Sequence, residues 1–146
     1  MMNRRTVLAT LSATIALPAF AMEPKNYIVN GFALSGFDAV AYFTQSDAIE
    51  GDEAYQSEYD GATYLFSSAE HKTMFDADPE KYAPKYGGYC AYAVSKGYTA
   101  SADPYAWTVH EGRLYVNFSK SVRALWATRR ARNIEAADAN WPGVLG

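Results

Sequence analysis

Two stretches rich in aromatic and β-branched residues, each broken by a two-residue turn, dominate the hydrophobic pattern of the chain. The first covers residues 55–66 with Asp60-Gly61 at its centre, and the second covers residues 107–117 with Glu111-Gly112 at its centre. Such runs on both sides of an acidic residue and a glycine are typical of a β-hairpin closed by a tight turn. The pattern therefore predicts two antiparallel hairpins.

Helical spacing follows each predicted hairpin. Ser67-x-x-Glu70 matches a capping box and predicts a helix over residues 68–78, which Pro79 ends. Ser119 is the predicted N-cap of a second helix over residues 120–132, continued after a kink by 133–140. The apolar stripe expected to face the core from this second helix consists of Val122, Leu125 and Trp126.

Shorter elements fill the rest of the chain. A short strand is predicted at 27–29, single helical turns at 79–82 and 91–94, and a buried segment at 37–43 in which Asp38 accepts backbone hydrogen bonds at a turn. No internal repeat is visible in the sequence. The predicted fold class is α+β, with two small antiparallel β-hairpins packed against three or four α-helices in one domain over residues 22–146.

Residues 1–21 have the pattern of an export signal. Arg4 and Arg5 are followed by a short apolar run over 7–17 and by Ala19-Phe20-Ala21, an A-x-A cleavage site. The general secretory route and the twin-arginine route both fit this pattern. We therefore expect a periplasmic or secreted protein that begins near Met22.

Charge and hydropathy argue against nucleic acid and a membrane as partners. The chain has 13 Lys and Arg against 16 Asp and Glu, and the predicted signal removes two arginines and no acid, which leaves a net charge of 11 − 16 = −5. An acidic domain is a poor candidate for binding nucleic acid. No second apolar segment is long enough to span a membrane. The protein partner, if any, is not specified by these features.

The only cysteine, Cys90, lies in the segment Tyr86-Gly87-Gly88-Tyr89-Cys90. A single cysteine cannot close an internal disulfide, so in an exported protein it is expected to be buried, ligated, paired with another chain or used chemically. The glycine pair predicts a sharp turn that presses Cys90 towards the helix predicted at 68–78. We therefore take Cys90 as the first candidate for a functional residue.

Several runs together resemble the exported bacterial YHS-domain family. They are residues 37–43 (FDAVAYF), 64–68 (YLFSS), 70–91 with its prolines, tyrosines and glycine pair, 103–104, 112–117, Trp126 and 137–142. The resemblance implies a small YHS-like core and an association with metal. It also implies ligating cysteines near the first strand and at the end of the YLFSS strand, where this chain has Ala41 and Ser67 instead.

One hypothesis for the chemistry is a soft metal site built from Cys90, His71 and Met74. Thiolate, imidazole and thioether are ligands that copper selects, and zinc is the second possible cofactor. The spacing His71-x-x-Met74 puts both residues on one helix face. The competing interpretation is that Met74 belongs to the core and His71 is bonded within the protein.

Two further hypotheses need no metal. If Cys90 opens a helix, backbone N–H groups would activate its thiol for redox chemistry, although no resolving cysteine is present. Alternatively, the twelve tyrosines, with aromatic residues at 15% of the chain, line a pocket for a small ligand or a protein partner. The sequence predicts no catalytic residue.

Overall fold

The computed structural model describes residues 22–146, so the predicted export signal at 1–21 lies outside the described residues. Three two-stranded antiparallel sheets and six α-helices make up this part of the chain, which confirms the α+β class. In chain order the elements are β1 (Ile28–Val29), β2 (Phe32–Ala33), α1 (Ala41–Thr44), β3 (Asp52–Tyr59), β4 (Ala62–Phe66), α2 (Ala69–Ala77), α3 (Pro79–Tyr82), α4 (Ala91–Ser95), β5 (Asp103–His110), β6 (Arg113–Asn117), α5 (Lys120–Ala127) and α6 (Arg130–Asn140).

Both predicted hairpins are present. Tyr59 pairs with Ala62 and His110 pairs with Arg113, so each turn contains two residues. Both residues of the turn Asp60-Gly61 have positive φ, as a type I′ turn requires. The strand predicted at 27–29 also pairs with β2, which adds a third, very short hairpin.

The two long hairpins belong to two copies of one structural unit, although no repeat was predicted. The first unit runs from a left-handed turn at residues 35–36 through α1, β3 and β4 to α2, and the second from a left-handed turn at 86–87 through α4, β5 and β6 to α5. Strand starts Asp52 and Asp103 lie 51 positions apart. Each hairpin has the same register shift after its first pair. Few identical residues support the repeat, which is why the sequence alone did not reveal it.

The buried residues form two clusters, and the first of them also includes residues of β6 and has residues of β5 packed against it. The first is centred on Phe66 and Phe75, whose rings lie 5.0 Å apart, and the second on Tyr115 and Trp126 at 5.5 Å. Phe75 and Trp126 are equivalent positions of α2 and α5, and both are fully buried. The hydrophobic stripe of each helix therefore packs one large aromatic ring beneath its own hairpin.

Some helix predictions are wrong in detail. Ser68, not Ser67, caps α2 by accepting from the His71 backbone N–H at 3.1 Å, because the Ser67 hydroxyl donates to Asp38. Leu125 is half exposed and does not face the core. The helix predicted over 120–132 ends at Ala127, and α6 begins a new axis three residues later.

No helix within residues 22–146 has the length and apolar character needed to cross a membrane.

Candidate functional site

Asp38 is a fully buried carboxylate at the centre of the first unit. Its Oδ1 accepts from the backbone N–H groups of Val40 at 2.9 Å and Ala41 at 3.2 Å, as the sequence predicts for an Asp at a turn. Its Oδ2 accepts from both the backbone N–H and the hydroxyl of Ser67, at 2.9 and 2.7 Å. These bonds tie the start of α1 to the end of β4, which fixes the position of the carboxylate.

The fifth hydrogen bond to Asp38 comes from His71. Nδ1 of His71 lies 2.6 Å from Oδ2, and the histidine side chain is 11% exposed. Because the carboxylate accepts every other bond that it makes, Nδ1 carries the hydrogen of this contact, and in a neutral imidazole Nε2 keeps its lone pair. The Asp38–His71 pair therefore orients the ring and presents Nε2 away from the core.

Thr44 is the neighbour of this free nitrogen. Its Oγ1 lies 3.3 Å from Nε2 and also 3.3 Å from the carbonyl oxygen of Val40, so one hydroxyl hydrogen serves two long contacts. Thr44 is exposed at the end of α1. The sequence pattern did not single out Thr44, since nothing in a lone threonine after a buried run indicates a partner 27 residues away.

Met74 lies one helical turn after His71 on α2. Its side chain is partly buried and packs against the core of the first unit. Met74 therefore packs against the core while part of its side chain stays accessible. Its position one turn from His71 on the same helix face follows from the spacing.

Cys90 belongs to the second unit. Its side chain is 1% exposed, its sulfur accepts from the backbone N–H of Phe118 at 3.2 Å, and it lies 3.5 Å from Oδ1 of Asn117. The residue is the N-cap of α4, as the reactive-thiol hypothesis required. The hydrogen bonds of Cys90 go to the end of β6, whereas those of His71 go to Asp38, Thr44 and Ser68.

Asn117 is a buried polar residue that sequence reasoning missed. Its Oδ1 also accepts from the backbone N–H of Tyr92 at 2.9 Å, and it is fully buried. Its Nδ2 has no hydrogen-bond partner among the residues that the structure describes. An Asn at the end of a strand carries no sequence signal for such a role, since this type of residue is also common in turns.

The glycine pair makes a different contact from the one expected. A Cβ on Gly87 would lie 1.9 Å from the carbonyl oxygen of Lys25, and one on Gly88 would approach only the Pro84 ring. The backbone carbonyl of Gly87 accepts from the Tyr27 N–H at 2.9 Å. The turn therefore closes on the segment before β1, and the glycines are needed there and not beside α2.

The two tyrosines of this segment are structural anchors. Tyr86 donates its hydroxyl to Asp138 at 2.8 Å, and Tyr89 donates to the carbonyl oxygen of Pro24 at 2.6 Å. Burial, followed by the hydrogen bond to Asp138, raises the pKa of Tyr86 well above its usual range. Both rings pack against Trp141, so this segment joins the second core to the C-terminal residues.

A pocket of about 290 Å³ opens beside Cys90. We call it the Cys90 pocket; its walls are Cys90, Tyr92, Ala93, Tyr98, Ala100, Phe118 and Val122. Tyr98 and Phe118 are about half exposed at its mouth. Phe118 and Val122 occupy the positions in the second unit that Ser67 and His71 occupy in the first, 51 residues earlier. The same place in the repeated unit is thus polar in one copy and apolar in the other.

Within residues 22–146 no cluster of three or more His, Cys, Asp or Glu side chains could hold a metal ion. A closed four-ligand site of the structural zinc type is therefore not formed by this part of the chain. One nitrogen donor that the structure holds in place is the imidazole of His71, which is bonded to Asp38.

Comparison with known families gives one match. Residues 40–86 match the family model described as YHS domain. Searches of curated proteins and of solved structures found no match. The matched range covers α1, the first long hairpin, α2 and α3, and contains both His71 and Met74. Residues 40–86, which hold the oriented histidine of the first unit, are therefore similar to the YHS domain.

Proposed function

We propose that the protein is an exported accessory protein that binds a soft metal ion, copper in the first place and zinc in the second. His71 is the anchoring ligand and Met74 the second ligand. The observation that carries this proposal is the 2.6 Å contact between Nδ1 of His71 and the buried Asp38. A carboxylate behind the other ring nitrogen is the usual support of a metal-binding histidine, because it fixes the tautomer and raises the basicity of the ligand.

The surroundings of Asp38 add support. Ala41 and Ser67 stand where the family resemblance implies ligating cysteines, and both donate hydrogen bonds to Asp38. His71 donates to the same carboxylate. The oriented imidazole and Ser67, one of the two residues that replace the implied thiolates, share the same carboxylate.

The ligand types favour copper. One imidazole and one thioether suit the softer ion, whereas zinc in a structural site takes four ligands from Cys, His and carboxylates. Among residues 22–146, Nε2 of His71 makes a long contact with Oγ1 of Thr44, which an incoming ion could displace. We leave Cys90 out of the primary ligand set because its sulfur is engaged at the end of β6.

Titration of the full chain with Cu(I) against a competing chromophoric chelator tests the proposal. His71→Ala should abolish binding, because the imidazole is the anchoring ligand, and Met74→Leu should weaken binding while preserving the packing. The matched control is His110→Ala. His110 is the second histidine of the chain and pairs with Glu111 beside the turn of the second hairpin.

Three outcomes would contradict this ligand set. Equal copper affinity of His71→Ala and the unmodified protein would remove the anchoring ligand, and loss of affinity in His110→Ala would move the site. Loss of binding in Cys90→Ser with an unchanged melting temperature would instead favour the three-ligand site of Cys90, His71 and Met74.

The Cys90 pocket favours a second candidate function, a binding module for a small apolar ligand. Its walls are mostly aromatic and aliphatic, and its volume lies at the lower end of the range for small-molecule sites. Fluorescence titration with an environment-sensitive apolar dye, compared between the full chain and a Val122→Trp variant that fills the pocket, tests this candidate. Undiminished dye binding in the variant would exclude this pocket.

A reactive-thiol function makes a different prediction for the same residue. The sulfur is buried and already holds a backbone hydrogen bond, so native Cys90 should react with iodoacetamide far more slowly than the unfolded chain. A native rate equal to the unfolded rate would favour redox chemistry. Mass spectrometry of quenched samples gives both rates.

Export is tested separately from binding. N-terminal sequencing of the protein recovered from a periplasmic extract should give Met22 as the first residue, as the Ala19-Phe20-Ala21 site predicts. Replacing Arg4 and Arg5 by lysine blocks the twin-arginine route only. Recovery of the uncleaved chain from the cytoplasmic fraction would contradict export.

A further inference from the structure

A second cavity, of about 320 Å³, shares no lining residue with the Cys90 pocket. We call it the hairpin-tip pocket; Lys25, Asp60, Tyr64, Arg113 and Trp141 are among its walls. Its volume is within the range of small-molecule sites. None of the functions considered above uses it.

Hydrogen bonds hold the outer wall of this pocket in place. Asn26 donates its side-chain amide to the carbonyl oxygen of Asp60 at 2.7 Å, and Lys25 pairs with the Asp60 carboxylate at 2.9 Å. The backbone of Gly87 meets Lys25 on the opposite side, where no Cβ could fit. The pocket is therefore formed by the fold itself, between the tip of the hairpin and the segment before β1.

The basic side chains around the pocket differ in whether they have an ion-pair partner. Lys25 is paired with Asp60, and Lys85 is paired with Asp138 at 3.0 Å. Arg113 takes part in no ion pair among residues 22–146. One of its terminal nitrogens makes a long 3.5 Å contact with the backbone oxygen of Glu80.

Arg113 also has an unused donor. Its Nε is buried and has no hydrogen-bond partner within the described part of the chain. A guanidinium has five N–H donors in a planar fork that matches a carboxylate, and a buried donor without an acceptor is unfavourable. An anionic ligand in the pocket would pair with the terminal nitrogens of the guanidinium, which have no carboxylate partner among residues 22–146.

Four aromatic residues line the pocket together with these polar groups. They are Tyr59, Tyr64, Tyr86 and Trp141. The hydroxyl of Tyr86 is already engaged with Asp138. Rings of this kind favour a flat apolar body in contact with them.

We propose that the hairpin-tip pocket binds a small monoanion with a flat apolar body, such as an aromatic carboxylate, and that Arg113 recognises its charge. The charged head contacts the guanidinium fork and the ring lies among the tyrosines and Trp141. Glu80, which is exposed and lines the same pocket, opposes the negative charge of the ligand and limits the affinity.

Calorimetric titration of the full chain with benzoate, and in parallel with the neutral isostere benzamide, tests the proposal. Benzoate should bind and benzamide should bind at least about tenfold more weakly, since a charge-assisted pair is worth more than one factor of ten. Benzoate should also change the fluorescence of Trp141, and Trp141→Phe should remove that change.

Four variants locate the charge recognition. Arg113→Gln should lose about tenfold or more in benzoate affinity, Arg113→Lys should retain part of it, and Glu80→Gln should raise it. The matched control is Arg129→Gln, an exposed arginine outside the pocket, which should bind as the unmodified chain does. Thermal melts show which variants remain folded.

The proposal is overturned if benzoate does not bind at millimolar concentration, or if benzamide binds as well as benzoate. It is also overturned if folded Arg113→Gln and Arg113→Lys both keep full affinity. Copper binding is measured on the same variants and should not change, so failure here is distinct from failure of the metal proposal.

Discussion

Both repeated units use buried groups to connect a short helix to a hairpin strand, but the chemistry of these groups differs. In each, a buried polar side chain ties the start of a short helix to the end of the second hairpin strand. The first unit uses the Asp38 carboxylate, which accepts from the Ala41 and Ser67 backbone groups. The second divides the task, since Asn117 accepts from Tyr92 and the Cys90 sulfur accepts from Phe118.

The difference lies in what remains for function. The carboxylate of the first unit has capacity for a fifth donor, and this donor is His71. In the second unit the equivalent position is Val122, which lines an apolar pocket. The buried carboxylate of the first unit therefore supports a polar site, and the neutral buried groups of the second unit accompany an apolar pocket, although the backbone framework is the same.

The largest expected effect concerns Asp38. Replacing it by alanine leaves two backbone N–H groups of α1, the Ser67 groups and His71 without their acceptor, and should lower the free energy of unfolding by about 3–5 kcal/mol. Urea unfolding followed by circular dichroism measures the change. Asp47→Ala, in an exposed loop, is the control and should change the free energy of unfolding little. Equal losses in the two variants would contradict the role of Asp38 as the shared acceptor.

A smaller loss in the free energy of unfolding is expected for Asn117, the buried amide of the second unit. Asn117→Ala removes one acceptor from the Tyr92 N–H and also relieves the unpartnered Nδ2, so it should cost about 1–3 kcal/mol in the same assay. A loss equal to or larger than that of Asp38→Ala would contradict the larger contribution expected from the buried carboxylate.

The helix caps should be equivalent in the two units. Ser68 and Ser119 each accept from a backbone N–H three residues later, at 3.1 Å. Alanine at either position should cost about 1 kcal/mol. Ser67→Ala tests the misplaced capping box, because its effect should come through Asp38 and disappear in an Asp38→Ala background.

The smallest expected effect is on alkaline stability. Tyr64 and Tyr115 are equivalent residues of the two hairpins, and burial, as the largest cause, raises the pKa of both phenols. Stability from these groups is fully present below the ordinary tyrosine pKa of about 10 and is lost as the pH rises above it, because only the unfolded chain then ionises.

Chemical unfolding at increasing pH, with tyrosinate absorbance as the second readout, measures this loss. Tyr64→Phe should make stability less sensitive to pH above the ordinary tyrosine pKa. Tyr115→Phe should have a weaker effect, because the Arg113 charge acts in the opposite direction on its pKa. Identical pH profiles of Tyr64→Phe and the unmodified protein would contradict the burial argument.

The local elements of this chain follow from its sequence. Both hairpins, their turns, the single turn at 79–82 and the capped helices were predicted, since strand-forming residues, turn residues and caps act over a few positions. The resemblance carried by the tyrosines, prolines and glycines also pointed correctly to the YHS domain at 40–86. The predicted burial of 37–43 and the role of Asp38 at a turn were confirmed as well.

Tertiary structure alone decided which of these residues meet. The sequence placed Asp38 and His71 in separate elements, and only the folding of α2 against α1 and β4 brings carboxylate and imidazole to 2.6 Å. It likewise decided that the glycine pair closes on Lys25 and that Cys90 bonds to Phe118. Short-range patterns specify elements because their causes are local, whereas the contacts that could carry function join residues tens of positions apart, and these depend on how the two units pack.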